Sequence, residues 1–334
     1  MSTTAARSNY QLQLWALLLG LALMAIKFVA WWFTNSNAIL SDALESIINV
    51  VAGAFALFSL VIAAQPRDHN HPYGHGKIEF VSAGFEGALI FLAGILIIGK
   101  AIYNLRFPQP LGSLDLGVIL TVFTGGLNYF MGIYLEKRGR KVESAIMVAS
   151  GKHLQSDAWS SIGLIVGLGL VWITGWVVLD SVMAIAFAFL IIYTGYGLVR
   201  SAMAGIMDET DTALVAEIVE QLQAHRSPHW IDIHNLRVIK YGANLHIDCH
   251  MTVPWYFTTR EAHEEVENLS HVANNNRENP VELFIHIDPC LPDSCPLCMK
   301  FDCSYRKHTF VKRVEWKLEN VVVNQKHEVG KKLD

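Results

Sequence analysis

Long apolar runs dominate the first two thirds of the chain, at roughly 12–33, 38–64, 81–104, 114–135, 145–174 and 178–200. About 20 apolar residues cross the ~30 Å hydrocarbon core of a bilayer as a helix. Lipid offers no partner for open backbone groups, so each run predicts a transmembrane helix. Short polar breaks separate them: Thr34 to Asn37, a His-rich loop at 65–79, Arg106 to Ser113, a basic stretch from Glu136 to Lys141, and Thr174-Gly175. Beyond about residue 208 the periodicity changes. Residues 210–225 and 259–273 carry helical spacing, while 231–240, 243–253 and 281–288 read as strands. In the second strand Leu245, Ile247, Cys249, Met251 and Val253 fall on one face, with His246, Asp248, His250 and Thr252 on the other. The predicted fold is therefore an α-helical membrane protein with six spans, followed by a small two-layer α+β domain of order αββαβ with a mixed sheet.

Composition agrees with this division. Of 334 residues 52% are hydrophobic and 17% charged, with a mean hydropathy of +0.31, whereas soluble domains average about 25% charged. The texture shifts near Met207-Asp208, which divides the chain into a membrane domain at 1–207, a regulatory domain at 208–289 and a Cys-rich segment with a basic tail at 290–334. The first apolar run is too long for a signal-peptide core and reads as the first span. In a six-span arrangement Arg7, Arg67, Lys77, Lys137, Arg138, Arg140 and Lys141 fall on one side, against Arg106 and a snorkelling Lys100 on the other. The positive-inside rule then places both termini in the cytoplasm. The net charge of −4 gives no reason to expect nucleic acid as a partner.

Ionisable side chains in lipid cost at least ~2.5–3.5 kcal/mol each near a span centre, so those present demand a role. The fifth span carries His153 and Asp157 at i, i+4, on one helix face. The second carries Asp42, Glu45 and Asn49 at spacings of three and four. Facing one another, these groups would make a nitrogen and oxygen cage for a divalent cation. Lys27 and Glu86 stand alone in their spans and read equally as structural partners, Lys27 for Asp42. In the 65–79 loop Asp68, His71 and His75 recur at three and four, with Pro72, Gly74 and Gly76 favouring a defined turn.

The run Ala38-Ile-Leu-Ser-Asp42-Ala-Leu-Glu45-Ser46, the loop Asp68-His-Asn-His-Pro-Tyr-Gly-His-Gly-Lys-Ile-Glu79 and the motif His153-Leu-Gln-Ser-Asp157-Ala-Trp-Ser-Ser resemble the cation diffusion facilitator family over about residues 10–290. Its bacterial zinc and iron exporters are the nearest in pattern. The resemblance implies a homodimer in the inner membrane that exchanges metal for protons by alternating access, with a metallochaperone-like cytoplasmic domain. It implies a transport site of Glu45, Asn49, His153 and Asp157, a loop site of Asp68, His71 and His75, and a charge interlock between Lys77 and Asp208. Members usually place Asp or His, then Asp, at the two second-span positions. Glu45 and Asn49 depart from that pattern, so Zn2+ is joined by Fe2+ and Mn2+ as candidate cargo.

In the C-terminal half His286 and Asp288 share a strand face. The resemblance adds His234, His250 and His263 to them as a two-metal site at the dimer interface. Beyond residue 289 the family pattern stops. There Cys290, Cys295, Cys298 and Cys303 form C-x4-C-x2-C-x4-C, a spacing open to a thiolate metal site with His308 in reserve, to free thiols or to redox sensing. A metal sensor and a metal-dependent membrane enzyme are the rival functions, although no nucleophile or substrate-pocket motif supports the enzyme.

Overall fold

The computed structural model describes the chain apart from residues 1–2, 35–36, 108–114, 177, 243, 276–280 and 331–334; the side chains of 3–7, 33–34, 37–42, 45, 115–118, 120, 164, 168, 172 and 244 also lie outside what it describes. Two compact units result, one ending at Met207 and one running from Asp208.

The first unit is six helices: α1 (Thr3–Thr34), α2 (Asn37–Ala63), α3 (Ile78–Arg106), α4 (Asp115–Lys141), α5 (Ala145–Thr174) and α6 (Val178–Ile206). Among the described residues five of them are long and apolar enough to span a bilayer. α4 has the length, 27 residues, but its last turns carry Glu136, Lys137, Arg138, Arg140 and Lys141. Large apolar side chains such as Trp15, Trp32, Leu96, Phe130 and Phe189 point outward, which suits lipid as the surrounding solvent. Without a hydrophobic drive between helices in lipid, close packing depends on small residues. α3 meets α6 in this way: a Cβ on Gly195 would stand 2.6 Å from the Phe91 backbone nitrogen and 2.8 Å from the Gly87 carbonyl oxygen. Gly195→Val is therefore expected to cost about 1–3 kcal/mol by overpacking, seen as a lower melting temperature in detergent with the helix content retained.

The second unit holds α7 (Thr212–Ala224), β1 (Asp232–Tyr241), β2 (Asn244–Val253), α8 (Thr259–Asn274), β3 (Val281–Pro289) and a single turn, α9 (Leu318–Val321). Asp211 caps α7 by accepting from the Leu214 amide, and Thr258 with Glu261 forms a reciprocal capping box on α8. The sheet is mixed, as its sequence order requires: β1 runs antiparallel to β2, and β2 parallel to β3. Leu245, Ile247, Cys249, Met251 and Val253 are buried together against Ile218, Leu222 and Leu269. The opposite face of β2 is less open than alternation alone implies, since His246 and Thr252 are buried as well. The segment after β3 folds back onto this domain. Arg226 holds it there, donating to the carbonyls of Trp230, Ile231 and Val314 at 3.1, 2.6 and 2.7 Å and lying 3.7 Å over the Trp316 ring.

Candidate metal sites

α2 and α5 bring Asn49, His153 and Asp157 together inside the first unit. The Asn49 amide donates from Nδ2 to Asp157 Oδ2 at 2.7 Å, and its Oδ1 lies 3.1 Å from His153 Nε2. A neutral amide thus bridges a base and a carboxylate. Glu45 and Asp42, from the same stretch of α2, have side chains outside the described residues. Lys27 donates to Ser46 Oγ at 3.0 Å.

These three residues line a cavity of about 60 Å3 that also reaches Gln13, Lys27, Glu86, Asn128 and Ser150, so five helices contribute. One water needs roughly 10–15 Å3, so the space admits a few waters or a partly hydrated ion. The sequence left Glu86 as an isolated acid. It proves to be buried, with Oε1 accepting from Ser150 Oγ at 2.8 Å, while Ser150 accepts from Gln13 Nε2 at 2.9 Å. Its other oxygen, Oε2, is buried with no hydrogen-bond partner. Gln13 and Ser150 are ordinary polar residues with no motif, and only the helix packing shows that they border the site.

The loop between α2 and α3 gathers Asp68, His71 and His75, whose donor atoms all lie within 4.8 Å of one another. Asp68 Oδ1 is 3.0 Å from His71 Nδ1, and Oδ2 is 3.2 Å from His75 Nε2. Gly74, at φ +92°, allows the turn that closes this loop, its amide donating to the His71 carbonyl. Desolvation works against ionising Asp68, but the backbone amides of His71 and Asn70 and the His71 ring hold its carboxyl below the usual range.

The sheet register builds the third cluster. His234 pairs with His250 across β1 and β2, and His250 with His286 across β2 and β3, so three imidazoles stand in a row. Asp288 lies beside all three: its Oδ2 is 3.6 Å from His234 Nε2 and 3.5 Å from His250 Nδ1, and its Oδ1 is 3.7 Å from His286 Nε2. His234, His250 and Asp288 meet within 4.8 Å. His263, on α8, is exposed and lies 3.5 Å from Glu267 rather than with this row. Two groups were not foreseen. Lys326 Nζ stands 3.5 Å from Asp288 Oδ2. His327 Nδ1 lies 2.5 Å from Asp232 Oδ1, while Asp232 Oδ2 lies 3.2 Å from His234 Nδ1. Burial alone would raise the Asp232 carboxyl, yet hydrogen bonds with His234 and His327 bring it down to about 2. A carboxylate behind an imidazole orients it as a metal ligand. Lys77 directly precedes α3 and Asp208, at φ +56°, follows α6, each within its own unit.

Buried nitrogen and oxygen donors on facing membrane helices, with two further donor clusters outside the spans, define a multi-pass membrane protein built to handle cations. The comparisons with known proteins narrow this class. Residues 14–207 match the cation efflux transmembrane domain and 210–290 the cytoplasmic domain of cation efflux proteins. A transporter of Synechocystis sp. is 32% identical over 269 residues, covering 80% of this chain and 86% of the relative. The cation-efflux pump FieF of Salmonella arizonae is 27% identical over 294 residues, 87% of this chain and 96% of the pump. Metal tolerance protein C1 of Arabidopsis thaliana is 29% identical over 305 residues, 86% of this chain and 62% of that protein. The chain belongs to the cation diffusion facilitator family of cation-efflux transporters.

Proposed function

We propose that the protein exports a divalent transition-metal ion, Zn2+ ahead of Fe2+ or Mn2+, in exchange for protons. It works as a homodimer in the cytoplasmic membrane, with both termini in the cytoplasm. The observation that carries this reading is the Asn49 bridge between His153 and Asp157 on the wall of a buried cavity. Glu45, one turn before Asn49 on α2, supplies the fourth donor.

Metal ligands must be deprotonated to bind, so loading the site releases protons and reprotonation ejects the metal. His153 suits that exchange because an imidazole nitrogen can hold either a metal ion or a proton. The amide at 49 has a particular consequence. It engages one atom of each partner, so an entering cation must take Asp157 Oδ2 and His153 Nε2 away from it. Compared with a carboxylate at this position, the site has one negative charge fewer and a weaker, neutral oxygen donor, which loosens its preference for zinc.

Asp68, His71 and His75 form a loop site near the membrane surface. His234, His250, His286 and Asp288 form a regulatory site, completed by His263 of a second copy. Metal held between two copies favours the closed pair and biases the transport cycle, with Lys77 and Asp208 as the interlock. The ammonium of Lys326 already faces the Asp288 oxygen nearest to His234 and His250, so metal must displace it there.

The test is transport in reconstituted vesicles. Zn2+ should accumulate uphill while the imposed pH gradient collapses, and Fe2+, Mn2+ and Co2+ compete in an order that identifies the cargo. Failure of any of these ions to move, or movement indifferent to the pH gradient, overturns the reading.

A further inference from the structure

The chain continues beyond the matched cytoplasmic domain; of its five cysteines, Cys290 is the last matched residue and Cys295, Cys298 and Cys303 follow directly. Cys249 is apart from them, buried in the β2 core face. None of the five is in a disulfide.

The surroundings of the four sulfurs are the informative part. Cys295 Sγ accepts a hydrogen bond from the Lys307 amide at 3.4 Å. The Trp255 amide, the Lys300 amide and the Tyr256 hydroxyl stand beside Cys290, Cys298 and Cys303. A neutral thiol is a weak acceptor and gains little from this, whereas a thiolate gains a great deal. The backbone is held in place as well. Cys295 and Cys298 bracket a tight turn in which the Cys298 amide donates to the Cys295 carbonyl. The Arg306 guanidinium then ties that turn to the next by donating to the carbonyls of Cys295, Cys298 and Lys300 at 2.8, 2.9 and 2.9 Å.

The four sulfurs also lie within electrostatic reach of one another. Two of them sit on one tight turn pinned by Arg306, with the other two on the chain just before and after it, so four sulfur donors are gathered in one short segment. We infer that Cys290, Cys295, Cys298 and Cys303 bind one soft, tetrahedrally coordinated divalent ion of the Zn2+ class as a structural tetrathiolate site, separate from the transport path. Such an ion with four thiolates leaves a net charge of about −2, and the Arg306 guanidinium, tied to the Cys295 and Cys298 carbonyls, brings a positive charge beside it.

The sulfurs are more widely spaced than the donors of the other two clusters, which meet within 4.8 Å. Zn–S bonds of ~2.3 Å draw them in. Binding therefore closes this segment onto β2 and β3, and its free energy becomes folding energy of the C-terminal region. Cys290 directly follows β3, two residues past Asp288, so closure also fixes the end of the strand that carries the regulatory donors.

The experiment uses the full-length protein in detergent, stripped with chelator under reducing conditions and titrated with Co2+ and then Zn2+. Co2+ should produce the intense near-ultraviolet sulfur-to-metal charge-transfer band of a tetrathiolate, and Zn2+ should bleach it. The bound ion should also protect four of the five thiols from alkylation. The combined Cys295→Ser and Cys298→Ser variant should lose the band, while Asp157→Ala and His234→Ala keep it. Transport can therefore fail as a proposal while this site stands, and the reverse also holds. Absence of the band in the reduced wild type overturns the inference, as does its survival in the double variant. So does disulfide pairing of these cysteines in protein isolated anaerobically. The wild-type readings decide the matter even if the serine variant does not fold.

Discussion

Asp157→Ala should abolish metal-dependent flux in reconstituted vesicles while leaving the protein folded. Asp157 supplies a formal negative charge to the donor set formed by the described residues on α2 and α5. A hydrogen bond or contact to a charged group contributes up to about 3 kcal/mol, roughly a hundredfold in affinity. The actual loss should be larger, because a divalent ion is left in a low-dielectric cavity with less compensating charge. Asp157→Asn separates charge from shape: it preserves a hydrogen-bonding partner for Asn49 and should still fail to transport. Both variants should elute from gel filtration as the wild type does. Flux within a few-fold of wild type in Asp157→Ala would remove α5 from the transport site.

The second large effect concerns stability and lies in the other unit. Arg226→Ala leaves the carbonyls of Trp230, Ile231 and Val314 without the donor that now serves them, and removes the cation stacked on Trp316. Burial lowers the Arg226 guanidinium to about 10, with Arg313 adding to the effect and Asp232 opposing it, so it remains charged at neutral pH. Each orphaned buried acceptor costs about 1–3 kcal/mol, so a loss of at least ~3 kcal/mol is expected. For a domain of this size that corresponds to a fall on the order of 10 °C in its melting temperature. Hydrogen exchange on the full-length protein should show the loss in peptides from α7, β1 and residues 311–330, with α3 and α6 unaffected. Arg226→Lys should recover only part of it, because a point charge cannot serve three carbonyls in one plane. Unchanged protection in those peptides would show that the C-terminal segment is held by its apolar contacts alone.

Much of the candidate sites was legible from spacing. His153 and Asp157, one helical turn apart in an apolar run, mark a candidate site, because lipid makes ionisable groups expensive. The loop cluster is legible for a similar reason: Asp68, His71 and His75 are close in sequence, and a glycine with positive φ closes the turn. His234, His250 and His286 are harder, being 16 and 36 residues apart. Nothing local states that they align, and it is the mixed β1-β2-β3 register that puts them in one row. The buried face of β2 was read correctly from alternation, yet the burial of His246 and Thr252 was not, since alternation describes one face and not what covers the other.

The residues without a motif were invisible until the chain was folded. Gln13, Ser150 and Glu86 come from three helices and form a polar relay only because α1, α3 and α5 converge on the cavity. Lys326 and His327 lie in a tail with no periodicity, but the tail returns to β1, where the Asn235 amide donates to the Val323 carbonyl. That return places a cation on Asp288 and an imidazole on Asp232.

By itself the sequence determined the membrane domain, the order of elements after residue 208, and the identity of most ionisable groups in the candidate metal sites. It could do so because hydrophobic period and helical spacing are local properties, set by the 3.6- and 2-residue repeats of the backbone. Only the tertiary structure decided that Asn49 bridges His153 and Asp157, that Glu86 borders the same cavity, that three histidines share one row, and that Arg306 pins the turn carrying Cys295 and Cys298. Those outcomes depend on pairing and packing between segments far apart in the chain, where a single polar residue looks the same on paper whether it meets a partner, a cation or water.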